Sequence, residues 1–296
     1  MLLRIRIQNF LSFQKETTFD MLTDPKIEGL PHHISKDAPL PLLKQAAIYG
    51  ANGAGKSNLI KAFVFLKNWV TNPKCLDEIE VCDYSFRMTD EDTKPPICLE
   101  VEFLSHQKAY LYKVAISEES IEESLYLSGL GKSADTLIFE RKDGKLLTHS
   151  LLNESAINEL LTANKKASLL VLHQGLGASY NPELKVAYEW FEQQLYIVKY
   201  PSDNLQVAKQ LTSDENLFDF VEDIIQSCDL DIDGIDREEN SEELLFLQYG
   251  PDDSVGYIAI EELSEGTMQL LRLLPVLYQA QQSEKVVFID AIEGQL

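Results

Sequence analysis

Apolar and polar residues alternate over residues 2–8, which predicts a strand. Asn9-Phe10-Leu11-Ser12-Phe13 reads as a turn into a second strand near Glu16–Asp20. Residues 21–42, rich in Pro, His, Lys and Asp, read as a loop. Ala46-Ala47-Ile48-Tyr49 is a short apolar run that predicts a buried strand. Leu59, Ile60, Phe63, Leu66 and Trp69 then recur at helical spacing between Ser57 and Val70. Ile97–Phe103 and Ala109–Ile116 alternate about Ser105-His106-Gln107-Lys108 and predict a hairpin. Glu118–Leu127 and Thr136–Arg141 read as further strands, with Lys142-Asp143-Gly144-Lys145 as a turn.

The period changes near Asn153. Ala156–Thr162, Ala167–Gln174, Pro182–Leu195 and Glu215–Cys228 carry helical spacing, with Trp190 and Phe191 as core anchors. Strand character returns at Glu243–Gln248 and Gly256–Ile260. A helix follows from about Gly266 to Gln281, and Lys285–Asp290 reads as a short buried strand. The expected organisation is residues 1–150 as one half of a core, 151–240 as an inserted helical lobe, and 241–296 as the other half.

Composition narrows the class. The chain has 296 residues, enough for one large α/β domain or two lobes. No run approaches the roughly 20 apolar residues of a membrane span, and residues 1–7 lack the apolar run of a signal peptide. Cys75, Cys82, Cys98 and Cys228 show no metal-type spacing, so reduced thiols in a cytoplasmic protein are expected. His32, His33, His106, His149 and His173 are scattered and read as surface or loop residues. Net charge is −22; residues 201–296 hold 22 Asp+Glu against 4 Lys+Arg, a balance of −18. That excludes a uniformly basic nucleic-acid surface, although a local basic groove remains open. Eight carboxylates fall within Asp229–Glu243 without calcium-loop spacing, and a solvated acidic face is expected there.

One string specifies chemistry. Gly50-Ala51-Asn52-Gly53-Ala54-Gly55-Lys56-Ser57 fits G-x-x-x-x-G-K-[ST] at every fixed position, and Asn58 follows. Glycines let backbone N–H groups of the loop curl round phosphate oxygens. Lys56 reaches β- and γ-phosphates, and the Ser57 hydroxyl suits Mg²⁺. ATP and Mg²⁺ are the expected ligands. Such a loop needs a carboxylate for the metal at the end of an apolar strand. Val286-Val287-Phe288-Ile289-Asp290 supplies one, although a strand-end Asp can also simply cap a turn. Leu263-Ser264-Glu265-Gly266-Thr267 precedes a helix, where a hydroxyl and a small residue make a good anion site; Ser264 can equally be a helix cap.

Together these segments resemble the ABC/SMC-like ATPases, specifically the bacterial AAA_15/AAA_21 type related to the ATPase part of OLD-family nucleases. The resemblance runs from Ile7–Phe13 through Gly50–Ser57, Asn181-Pro182-Glu183 to Trp190-Phe191, and Asp229–Ile232, to Glu262–Thr267. It implies an α/β fold: an ABC-type P-loop core of mixed plus antiparallel sheet with an inserted helical lobe. It also implies a homodimer or higher homo-oligomer closed around two nucleotides. Ser264 and Gly266 would reach the γ-phosphate bound to the opposite subunit, with Asp290 on Mg²⁺. Relatives implied by the resemblance serve anti-phage defence beside an effector such as a nuclease. A DNA-clamping repair ATPase and a non-hydrolysing structural subunit are the alternatives; the net charge does not support nucleic acid.

The sequence departs from that family in four ways. Ala291 stands where the catalytic Glu is expected, which reads as a change made to trap nucleotide, with a naturally degenerate ATPase as the alternative. Glu293 is too far along to replace that Glu. The family continues past Leu296 with more strands and a switch histidine, so a C-terminal part of the core is expected to be missing. No Q-loop glutamine is evident, Phe86 receives no role, and Leu11 leaves adenine recognition open.

Overall fold

The computed structural model describes residues 1–24, 31–35, 38–88, 95–148, 151, 153–175, 181–198, 204–228, 231–237, 244–250, 254–282 and 285–290. The chain forms two compact units, Met1–Leu195 and Tyr196–Leu296. The helical stretch after Asn153 is thus divided between them at Leu195.

The first unit opens with β1 (Leu2–Gln8), β2 (Thr17–Asp20), and the short strands β3 (Ile34–Ser35) and β4 (Leu42–Leu43). The last two pair with each other inside the stretch that sequence alone reads as loop. α1 (Lys56–Thr71) is followed by two one-turn helices, α2 (Cys75–Glu78) and α3 (Val81–Tyr84). Next come β5 (Ile97–Ser105), β6 (Lys108–Ile116), β7 (Ile121–Leu127), β8 (Thr136–Lys142) and β9 (Lys145–Leu146). These make an antiparallel seven-stranded sheet in the order β2-β1-β5-β6-β7-β8-β9.

Both tight hairpins follow from their turn chemistry. His106 and Gln107 adopt φ of 49° and 62°, and Asp143 and Gly144 adopt 48° and 79°. Paired left-handed residues match the twist of the flanking strands. α4 (Glu154–Ala163), α5 (Leu169–Gln174) and α6 (Pro182–Glu189) complete the unit. α6 has Asn181 accepting from the Glu183 N–H at its start and Pro182 in its first turn.

α1 buries Leu59, Phe63, Phe65, Leu66, Trp69 and Val70. The predicted helix Pro182–Leu195 stops early: α6 runs into a π-helical turn at Trp190–Gln194 and then β10 (Leu195–Ile197). The wider turn lets Trp190 and Phe191 both enter the core. Trp190 stacks on Phe103 at 4.1 Å between ring centres, and Phe191 meets Tyr112 edge-on at 5.4 Å.

The second unit contains α7 (Asn204–Thr212), which the sequence reading did not find, and α8 (Glu215–Ser227). β11 (Gly234–Arg237), β12 (Leu244–Tyr249) and β13 (Val255–Ala259) form an antiparallel three-stranded sheet. α9 (Glu265–Gln282) and β14 (Val286–Phe288) follow, and β14 pairs with β10. The unit has its own core of Leu211, Val221, Ile225, Phe246, Leu271 and Leu274. β14 is half-buried rather than buried. No helix among the described residues is long and apolar enough to cross a membrane.

Candidate nucleotide site

The loop before α1 has the conformation that its glycines allow. Gly53 has φ 80° and Gly55, the residue before the helix, has φ 93°, both in the left-handed region. Gly55 is also crowded: a Cβ there would lie 2.6 Å from Ser12 Oγ. No side chain caps α1. Asn58 and Leu59 donate their N–H groups to the Gly55 carbonyl, and Ala54 donates to Ala51. The N–H groups of Gly53, Gly55 and Lys56 have no acceptor among the described residues. Unpaired donors at the positive end of a helix form an anion site.

Lys56 folds over the same loop, donating from Nζ to the carbonyls of Gly50 at 2.6 Å and Ala51 at 3.2 Å. Asn58 donates from Nδ2 to Ser12 Oγ at 3.0 Å, which joins the loop to the turn after β1. In that turn Asn9 is buried, its Nδ2 donating to the Pro95 carbonyl at 2.6 Å and its Oδ1 accepting from the Phe86 N–H at 3.3 Å. Phe10 packs edge-on against Phe65 of α1 at 5.7 Å.

The approach to the loop differs from expectation. Residues 45–50 belong to no strand, and Ile48 and Tyr49 are 45% and 90% exposed. A strand exists only where a neighbour takes its backbone hydrogen bonds. Among the described residues no strand pairs with this run, although Gln45 meets His33 Nδ1 at 3.3 Å at its start.

In the second unit, Ser264 stands at the start of α9. Its Oγ accepts from the Thr267 N–H at 3.1 Å and meets Thr267 Oγ1 at 2.8 Å, so it serves as a helix cap. Ser264 and Gly266 are both exposed. Asp290 is exposed two residues beyond β14. Ala291 and Glu293 lie outside the described residues. Lys56 and Ser57 therefore belong to the first unit, and Ser264, Gly266 and Asp290 to the second.

The sequence model of one protein family, described as "AAA domain, putative AbiEii toxin, Type IV TA system", matches residues 46–296. The chain belongs to this AAA_21 family. Among curated proteins none matches. A solved structure, the SMC head domain from Thermotoga maritima, is similar at 14% identity and a TM-score of 0.44, covering 100% of this chain and 79% of that one. The expected α/β, P-loop ATPase class is borne out by the family and by the mixed architecture.

Some of what builds the AAA_21 site was missed in the sequence. Ser12 supports the loop from forty residues upstream, in a turn closed by the Phe10–Phe13 backbone hydrogen bonds and the positive φ of Asn9 and Leu11 (51° and 46°). Behind α1 lies a buried polar cluster. Glu123 accepts from Tyr112 Oη at 2.7 Å, Ser168 Oγ at 2.6 Å, Arg141 Nε at 2.7 Å and the Leu169 N–H at 2.9 Å. Trp69 of α1 donates to Tyr112 Oη at 2.8 Å, and the Arg141 guanidinium lies 5.6 Å from the Trp69 ring centre. Burial first, then the Glu123 charge, holds the Tyr112 hydroxyl well above its usual range, so it stays a donor. His173 corrects the surface reading of the histidines. It is buried in α5, neither ring nitrogen has a partner among the described residues, and burial lowers its pKa.

Proposed function

We propose that this AAA_21 chain binds and hydrolyses ATP, and that two copies close head to tail around the nucleotides. The observation that carries the reading is the uncapped start of α1, with left-handed Gly53 and Gly55, unpaired N–H groups and Lys56 lying over the loop. In it, Gly50, Asn52, Gly53, Ala54, Gly55 and Asn58 shape or flank the phosphate cradle. Lys56 exchanges its carbonyl partners for phosphate oxygens. Ser57 and Asp290 provide the hard oxygen donors that Mg²⁺ prefers, and the metal, when bound, neutralises phosphate charge. Ser264 and Gly266 face the nucleotide of the other copy. Segments 1–150 and 241–296 act as the two halves of the core, with 151–240 as the lobe inserted between them.

At Ala291 a methyl group can neither orient water nor accept its proton. Binding and closure persist while turnover falls, by about 10²–10⁴-fold for the loss of such a group. In the cell the chain is a cytoplasmic sensor or regulator in an anti-phage system, acting on an effector protein such as a nuclease. This role rests on the resemblance, and the family's description as a toxin–antitoxin AAA domain is compatible with it.

The experiment is ATP binding and turnover for three proteins. The chain itself should bind ATP and turn it over slowly. Lys56→Ala should lose binding by at least about tenfold, and Ala291→Glu should raise turnover by about 10²-fold or more. Brisk hydrolysis with Ala291 in place would remove that residue from the mechanism. ATP affinity unchanged in Lys56→Ala would remove the loop.

A further inference from the structure

We infer that the free edge of β13 is a docking site for an extended, cationic segment of another protein, which adds a strand to the β11–β13 sheet. The inner face of that sheet carries Ile235, Leu244 and Phe246 into the core of the second unit. Register places Leu245, Leu247 and Tyr249 of β12 beside Ala259, Tyr257 and Val255 of β13 on the opposite face. That face is apolar and open: Tyr249, Val255 and Tyr257 are 57%, 47% and 55% exposed.

The backbone direction follows from two bonds. Asp233 donates its N–H to the Leu247 carbonyl at 2.8 Å, and the Tyr249 N–H donates to Asp233 Oδ2 at 2.7 Å. Leu247 and Tyr249 therefore turn their backbone groups toward β11. Their partners on β13, Tyr257 and Val255, form the non-hydrogen-bonded pairs and turn their own N–H and C=O groups outward. The Ala259 N–H, of the same parity, donates to Glu262 Oε2 at 3.3 Å rather than to a strand. No acceptor among the described residues takes the N–H of Val255 or Tyr257.

Edge strands are ordinarily blunted by lysine, proline, a bulge or a cover. Val255-Gly256-Tyr257-Ile258-Ala259 has no charge and no proline, and no strand pairs with its outer edge among the described residues. It keeps both features that strand addition uses, main-chain groups for affinity and apolar positions at alternate residues for specificity.

Charge selects the occupant. Glu261 and Glu262, which follow β13 directly, are exposed at this edge, whereas Asp233 and Asp236 are exposed beside and on β11 at the far side of the sheet. Arg237 is turned to the inner side, with its guanidinium 3.6 Å from the Phe218 ring centre. A second copy would bring the same carboxylates against themselves, within a segment whose balance is already −18. A strand alternating apolar with Lys or Arg satisfies the apolar face and the acidic rim together. The inference is independent of the nucleotide reading.

The test uses the full chain and two short synthetic peptides, one alternating valine with lysine and one alternating valine with glutamate, followed by fluorescence anisotropy. The lysine peptide should bind and should weaken by about tenfold between roughly 0.05 and 0.5 M salt. The glutamate peptide should not bind. Tyr257→Pro, which removes an outward N–H and leaves the β12 ladder intact, should cost about tenfold in affinity with an unchanged circular dichroism spectrum. Tyr257→Phe should bind as the parent does. Hydrogen exchange on the unaltered chain should show Val255 and Tyr257 amides slowed by the lysine peptide, a readout that does not depend on any variant folding. Equal binding of the two peptides, no binding of either, or protection at other strands would overturn the inference. So would a concentration-dependent dimer that Tyr257→Pro dissolves, because a second copy would then be the occupant.

Discussion

At Gly55 two constraints fall on one hydrogen atom. The φ of 93° disfavours any side chain, and Ser12 Oγ occupies the place a Cβ would take, at 2.6 Å. Gly55→Ala should therefore destabilise by about 1–3 kcal/mol, seen in the urea midpoint, and should weaken ATP binding as well. Adding Ser12→Gly would relieve the crowding but leave the φ strain, so the double variant should recover only part of the loss. The glycine requirement was legible in the motif; the Ser12 contact was not, because it joins residues forty positions apart. His173 is the opposite case, a residue whose sequence neighbours gave no sign of burial. Its pKa is lowered by burial, so the unfolded chain takes up a proton that the native chain resists. Its contribution is whole above an ordinary histidine pKa of about 6.5 and is lost as pH falls from there toward the lowered native value. His173→Phe should flatten the fall in urea midpoint between about pH 7.5 and 5.5 relative to the parent. An equally steep fall in both would clear His173 of the effect.

Elements with local signatures were legible, and those depending on distant partners were not. The β5–β6 and β8–β9 hairpins and α1 follow from alternation, turn residues and helical spacing. Ala46–Tyr49 has the composition of a buried strand, but among the described residues no strand pairs with it, and composition cannot reveal a missing partner. α6 ends at Glu189 because Trp190 and Phe191 are drawn to Phe103 and Tyr112, partners more than seventy residues away. The Glu123–Arg141 pair is similar: each sits at a strand position whose sequence pattern gives no hint of burial, yet both are essentially inaccessible to solvent. It connects β7 and β8 to the residues before α5, and through Tyr112 to Trp69 of α1. Breaking one partner of such a buried pair should cost about 3–5 kcal/mol, so Arg141→Met should lower the denaturation midpoint sharply. Glu123→Gln, which keeps the shape and some acceptors, should cost less. A loss under about 1 kcal/mol for Arg141→Met would mean that the network contributes little beyond its packing.

For the molecule as a whole, charge is the property that sequence conveys most directly. With a balance of −22, the chain lacks the positive field that gathers phosphate backbones. Duplex DNA should bind more weakly than about 10⁻⁴ M at physiological salt by anisotropy. Tight, salt-sensitive binding would move the reading toward a DNA-clamping ATPase. The division of the chain at Leu195 was not legible, since helical spacing continues across it. Near that division Lys67 of α1 donates from Nζ to the carbonyls of Glu192 at 3.0 Å and Leu195 at 2.6 Å. A helix is stiff along its axis, and this one begins at the phosphate loop. The same rod thus has the phosphate loop at one end and, through Lys67, a hold at the other on the residues where the chain leaves the first unit.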